Sequence, residues 1–166
     1  MTALMTALVA APAVLVVPAP AYAAGTWTWP VSGPVIRQFD PPDDPYGSGH
    51  RGIDIAAPAS TEVRAAEAGT VTFAGSVGGQ LFVTVDHGAG LASTYSWVSA
   101  LRVGKNDVVM QGQVIALSGA GHPGSLEPPH LHLGVKLHGQ YVDPLGYLSP
   151  LAVAGLIRLA PLTQAS

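Results

Sequence analysis

From Gly25 onward, apolar residues recur in short runs, often at two-residue spacing, and Gly, Pro and Asp interrupt them before any helical period builds up. That is the pattern of β-strands joined by turns. Val71 with Phe73, and Val83 with Val85, sit two apart, as one face of a half-buried sheet requires. The pattern predicts strands over 26–31, 35–39, 69–74, 81–86, 92–97, 114–118 and 131–137. No segment between Gly25 and Tyr147 carries a helical period, so one all-β domain is expected over residues 24–150.

Two stretches break the alternation. Residues 40–49 (DPPDDPYGSG) place three prolines within six positions, which removes backbone donors and excludes regular structure. This loop leads straight into His50. A second Gly/Pro-rich loop, 119–129, leads in the same way into His130. Loops of this kind form the walls of clefts, although turn-rich loops are also routine in all-β proteins.

Both ends of the chain are apolar. Residues 1–23 hold no charged side chain, carry an apolar run over 5–17 and finish in Ala21-Tyr22-Ala23, a small-x-small cleavage pattern. They are expected to be a signal peptide cut after Ala23, although no Lys or Arg precedes the apolar run. A membrane anchor is the rival reading. Pro12, Pro18 and Pro20 oppose it, as does a run shorter than the roughly 20 residues a spanning helix needs. The tail 151–166 opens with ten apolar-rich residues before Pro161 and is expected to form a short helix packed on the domain.

Charge then narrows the partners. Seven basic and ten acidic residues give a net charge of −3 with no basic cluster, which argues against nucleic acid. The chain contains no cysteine, so an exported protein of this sequence must draw its stability from its core, and from any metal it binds, without disulfides.

Candidate chemistry lies where the two loops end. His50 and Asp54 stand four apart in GHRGID, and His130 and His132 two apart in PHLHLGV. Residues i and i+2 of a strand project from one face, so His130 and His132 are expected to share a side of the sheet. Gly52, Ile53 and Ile55 favour an extended path that would do the same for His50 and Asp54. Taken singly, each motif reads as well as surface or hydrogen-bonded core histidines. Together they offer imidazoles and one carboxylate around an open coordination position, which is the donor set of a catalytic zinc site.

The runs GHRGIDIAAPAST, EVRAAEAGTV, VTVDHGAG, STYSW, VVMQGQVIALSG, PHLHLGV and YVDPLGYL, in that order, resemble the lysostaphin-like (LytM-type) murein endopeptidases. The similarity covers about 35–148. It implies an all-β fold, an antiparallel sheet with an open active-site groove related to the duplicated hybrid motif. It also implies His50, Asp54 and His132 as ligands of Zn2+, and leaves His130 as an unliganded catalytic histidine. The implied activity is hydrolysis of peptidoglycan stem or cross-bridge peptides by zinc-activated water, in an exported or cell-envelope protein without a transmembrane span in its mature form.

The pattern breaks at one place. Enzymes of this family usually carry a further active-site histidine in a Tyr-x-His-Leu segment, and here the matching residues are Tyr95-Ser96-Trp97-Val98. An indole N–H donates but cannot shuttle a proton. A family member that is weak or inactive, and binds murein or regulates another hydrolase, is therefore the alternative. His122 is the spare imidazole nearest the expected cleft, and a solvated turn residue is its bland reading. His87 and His138 read as turn residues, Asp43 and Asp44 as a solvated acidic loop, and Asp143-Pro144 as the end of the sheet. The hybrid motif also serves phosphocarriers and lipoyl or biotinyl carriers, but the chain offers no lysine turn, and its leader contradicts a cytoplasmic phosphocarrier.

Overall fold

The computed structural model describes residues 25–44, 47–124 and 126–150. The expected signal peptide and C-terminal helix lie outside the described residues. Ten strands follow one another: β1 (Val35–Arg37), β2 (Ile53–Ala56), β3 (Glu62–Arg64), β4 (Gly69–Val77), β5 (Gln80–Gly88), β6 (Leu91–Leu101), β7 (Val108–Val109), β8 (Val114–Ser118), β9 (His130–Leu137) and β10 (Gln140–Val142). A 3-10 turn, Pro144–Gly146, closes the series, and Asp143 caps it by accepting from the Leu145 N–H at 2.9 Å. The all-β expectation holds: all ladders are antiparallel, in the order β1-β2-β9-β6-β5-β4-β7, with β10 on β9, and β8 joining β3 to β6.

Alternation sorts this sheet into two chemically different faces. One face packs Ile53, Ile55, Val71, Val83, Val85, Leu91, Tyr95, Leu131, Leu133 and Val135 into the core, all fully buried. The other carries Asp54, His132, Ser96 and Phe82, which stand in one cross-strand row because Asp54 pairs with His132, His132 with Ser96, and Ser96 with Phe82. A neighbouring row runs Gly134, Thr94, Thr84 and Phe73. The far end of this face is a shallow apolar hollow lined by Phe73, Val77, Phe82, Thr84 and Thr94.

Four expectations need correction. Val71 and Phe73 do not share a face, because a bulge between them leaves Val71 in the core and turns Phe73 to the opposite side. Residues 26–31 are not a strand: Pro30 has no N–H to donate, and only Trp27 bridges, in parallel, to Leu148. Trp27 and Val31 are nonetheless buried and Trp29 packs against the core, so the alternation marks burial without a ladder. The strand expected over 35–39 pairs only through Arg37, after which Asp40 forms an isolated bridge with His50. His87 is no turn residue but lies within β5, its Nδ1 donating to the Ala68 carbonyl at 2.8 Å. The sequence pattern also passed over the short strands β3, β7 and β10.

Candidate metal centre

His50 arrives at the site pinned by its backbone. Its N–H donates to the Asp40 carbonyl at 2.6 Å and its carbonyl accepts from the Asp40 N–H at 2.9 Å, which closes the proline-rich loop at its neck. Gly49 is required there, because a Cβ would stand 2.6 Å from the Asp40 oxygen. The His50 ring is then oriented by Nδ1, which donates to the Gln38 carbonyl at 2.7 Å and leaves Nε2 as the donor atom facing the site.

Asp54 and His132 come from paired positions of β2 and β9. Nδ1 of His132 lies 2.8 Å from Oδ1 of Asp54 and 3.0 Å from Nε2 of His50, and the third side of the triangle, His50 Nε2 to Asp54 Oδ1, is 3.1 Å. His50 and Asp54 are buried and His132 partly so. Gly52 makes room for the triangle: a Cβ would stand 2.7 Å from His132 Nε2 and 2.2 Å from the Leu133 carbonyl oxygen.

The electrostatics follow from this packing. Burial alone would raise the Asp54 pKa, but hydrogen bonds from His132 and His50 outweigh it and hold the carboxyl well below the usual carboxylate range. Burial would lower that of His50, yet the Asp54 carboxylate and the Gln38 carbonyl reverse the sign and raise it. The triangle thus holds an ionised carboxylate between two imidazoles whose lone pairs converge. Donors of a tetrahedral zinc with bonds of about 2.0–2.2 Å stand roughly 3.3 Å apart. The observed edges fit such an ion with little movement, and a His/His/carboxylate set suits zinc.

His130 lies beside the triangle, on the same face as His132, and is fully buried. Nδ1 donates to the Pro128 carbonyl at 2.8 Å, so Nε2 points inward, 3.9 Å from Oδ2 of Asp54 and 3.2 Å from the backbone N–H of His122. Donor atoms of Asp54, His130 and Glu127 also lie within 4.8 Å of one another. Glu127 was missed in the sequence, where a lone glutamate in a Pro-rich loop gives no signal.

Trp97 stands at a β-bulge: Val98 pairs with Leu81 and Ser96 with Phe82, so Trp97 is the extra residue of β6. Its φ is 64°, a left-handed conformation that a bulky side chain rarely adopts. The indole lies between Phe82 and His122, with ring centroids at 5.2 Å and 5.0 Å. His138 has φ 49° in the β9–β10 hairpin, as a turn residue. Asp43 and Asp44 line a separate hollow with Arg51 and Tyr141 and take no part in the triangle.

A family model described as Peptidase family M23 matches residues 48–144, from just before His50 to just after Asp143. The chain belongs to that family. An uncharacterized protein of Mycobacterium tuberculosis (strain H37Rv) is 39% identical over 143 residues, covering 82% of this chain and 55% of the relative. The DD-carboxypeptidase/endopeptidase Mpg of Neisseria meningitidis serogroup B is 37% identical over 102 residues, 61% of this chain and 23% of Mpg. Among solved structures, a zinc-containing peptidase from Vibrio cholerae superimposes with a TM-score of 0.62 at 25% identity, covering 75% of this chain and 41% of that one. The chain thus spans about half the length, or less, of the relatives it matches. The M23 assignment bears out the family resemblance and the fold class read from the sequence. No helix among the described residues is long and apolar enough to cross a membrane.

Proposed function

We propose that this M23 protein is a zinc-dependent endopeptidase that cuts stem or cross-bridge peptides of bacterial cell-wall peptidoglycan. The observation that carries the reading is the triangle of His50 Nε2, Asp54 Oδ1 and His132 Nδ1, with edges of 2.8–3.1 Å and a separately oriented His130 beside it. His50, Asp54 and His132 hold the ion. Zinc bound there supplies Lewis-acid polarisation of the scissile carbonyl and lowers the pKa of water toward neutrality.

The protein's own groups do the rest. Asp54 keeps its negative charge across the physiological range and orients both ligand imidazoles. His130, its Nδ1–H committed to Pro128, has Nε2 as its one basic atom, which takes a proton from the attacking water by exchanging the weak 3.2 Å hydrogen bond from the His122 N–H. The open sheet face from Ser96 to Phe73 gives an extended substrate a floor to lie on. The leader read over residues 1–23 supports an exported, envelope-associated protein, as does likeness to a lipoprotein NlpD/LppB homolog of Pseudomonas aeruginosa, 37% identical over 128 residues.

Trp97 favours one other reading, a murein-binding or regulatory protein with little turnover. A single assay separates the two. Zinc-loaded mature protein is incubated with purified peptidoglycan, and released amino groups are counted beside a His50→Ala control. Release by the wild type alone supports the endopeptidase; binding without release supports the regulator.

A further inference from the structure

The start of the second loop, residues 119–122, is held against Trp97 and His130 by four contacts, and it carries a side chain, His122, that the proposed mechanism leaves unused. The Gly119 N–H donates to the Trp97 carbonyl at 3.0 Å, and any Cβ on Gly119 would stand 2.3 Å from that oxygen. Gly121, at φ 92°, lies against the His130 ring so closely that a Cβ would come within 2.5 Å of its Cε1. The next residue, His122, donates its backbone N–H to His130 Nε2 at 3.2 Å. The His122 ring meets the Trp97 indole edge-on, at 5.0 Å and 69°.

These contacts define an imidazole with one usable nitrogen. Nδ1 of His122 lies 2.9 Å from the Pro123 carbonyl, which only accepts, so Nδ1 carries a proton and Nε2 is the atom left for exchange. The ring is exposed, whereas His130 is fully buried. Direct proton exchange with bulk solvent is therefore open to His122, whereas His130 exchanges only with a molecule bound in the site. Trp97 cannot carry a proton at all, yet its left-handed backbone aims the indole as a flat support for the His122 ring.

We propose that His122 is a second catalytic imidazole of this site, giving its Nε2 proton to the leaving amine. The inference rests on the hydrolytic reading above. In the step, the C–O bond to water forms and the water proton passes to His130 Nε2. The C–N bond breaks, its electron pair goes to nitrogen, and that nitrogen takes the proton from protonated His122. His122 is left neutral and recovers a proton from solvent, while His130 returns the water proton once the product leaves. The products are one amine and one carboxylic acid, which loses its remaining proton to water as it leaves.

The test uses the zinc-loaded full chain and two substrates: a cross-bridge peptide that the wild type cleaves, and its ester analogue in which the scissile nitrogen is replaced by the oxygen of an acidic phenol. The ester leaving group needs no proton. His122→Ala keeps the backbone N–H to His130, and His122→Gln keeps a side-chain donor but cannot transfer a proton. Both variants are expected to bind one zinc and to lose about 100-fold or more in kcat on the amide, with KM nearly unchanged and less than about threefold lost on the ester. Equal losses on both substrates mark a role in holding the loop and overturn the proposal, as does a kcat for either variant within twofold of wild type on the amide. A wild type that cleaves neither peptide nor peptidoglycan sinks the hydrolytic reading itself, and the proposal with it.

Discussion

Asp54 and His132 face each other across the β2–β9 ladder, with Oδ1 and Nδ1 2.8 Å apart. This pairing joins fold and site: register places the two donors, and Nε2 of the Gln38-oriented His50, 3.0 Å from His132 Nδ1, completes the set. A one-residue slip of β9 would turn His132 toward the core and Leu131 or Leu133 toward the site. The fully buried Ile53, Ile55, Leu131 and Leu133 on the opposite face make that slip expensive.

The donor geometry therefore assigns different fates to neighbouring histidines. His50→Ala, Asp54→Ala and His132→Ala are each expected to abolish stoichiometric zinc, measured by elemental analysis after dialysis. His130→Ala is expected to retain one zinc per chain while losing activity by about 100-fold or more. Zinc loss in His130→Ala with retention in His132→Ala would reverse the two assignments.

Gly52 is a sharper probe because it changes no donor. A Cβ at this position would stand 2.2 Å from the Leu133 carbonyl, which is backbone and cannot swing away, and 2.7 Å from His132 Nε2. Gly52→Ala is expected to cost about 1–3 kcal/mol in urea unfolding of the zinc-free protein. It is also expected to weaken zinc binding at least tenfold, since the His132 ring must tilt. Unchanged affinity in a chelator competition would show that the ring position is not constrained from this side.

Zinc and protons compete for His50. Its raised pKa means that, without metal, the His50–Asp54 pair stabilises the fold fully below about 6.5 and loses that contribution as pH rises through the raised value. Metal binding runs the other way, because the imidazole must be deprotonated to ligate. Zinc affinity, followed by competition with a chelator, is expected to be flat above the raised value and to fall below it by up to about tenfold per pH unit for each ligand imidazole that takes up a proton. Asp54 stays ionised throughout and adds no slope near neutrality. A pH-independent affinity between 5 and 8 would remove His50 from the ligand set.

How much of this was legible in the sequence differs by kind of information. The long strands and the shared face of His130 and His132 follow from two-residue alternation, which is local. The approach of His50 and Asp54 to His132 was read from two motifs behind two loops; ladder pairing sets Asp54 against His132, and the Asp40–His50 bridge sets His50 beside them. What alternation cannot show is an interaction set by distant chain. The 26–31 run alternates correctly, but its backbone hydrogen bonds are divided among Tyr147, Ser149, Ala66 and Arg64, so no ladder forms beyond the single Trp27–Leu148 bridge. The left-handed Trp97 has no sequence signal, because it arises from a bulge in the β5–β6 register. His122 could be named as a spare imidazole, yet its place on Trp97 and His130 depends on Gly119 and Gly121 fitting against those residues.

Stability at acid pH should be governed away from the metal centre, by His87. Its Nδ1 donates to the Ala68 carbonyl, and its Nε2 shares the Ser93 hydroxyl with Tyr95, at 2.9 Å and 3.1 Å. The Tyr95 oxygen in turn accepts from the buried Ala66 N–H at 2.7 Å, and burial pushes the Tyr95 pKa up to about 12. Burial likewise lowers the pKa of His87, against a smaller opposing effect of the Ala68 carbonyl. In this window the unfolded chain binds more protons at this position than the native one, so stability rises with pH. His87 is expected to contribute fully above about 6.5, and this contribution falls as the pH drops toward its lowered value, with a slope of up to about 1.4 kcal/mol per pH unit. Urea unfolding of zinc-free protein from pH 7 to 5 reads the slope directly. His87→Gln should flatten it, whereas Tyr95→Phe should keep the slope and lower stability by about 1–3 kcal/mol at every pH, because the Ala66 N–H loses its acceptor. A slope that survives in His87→Gln would place the acid-sensitive group elsewhere.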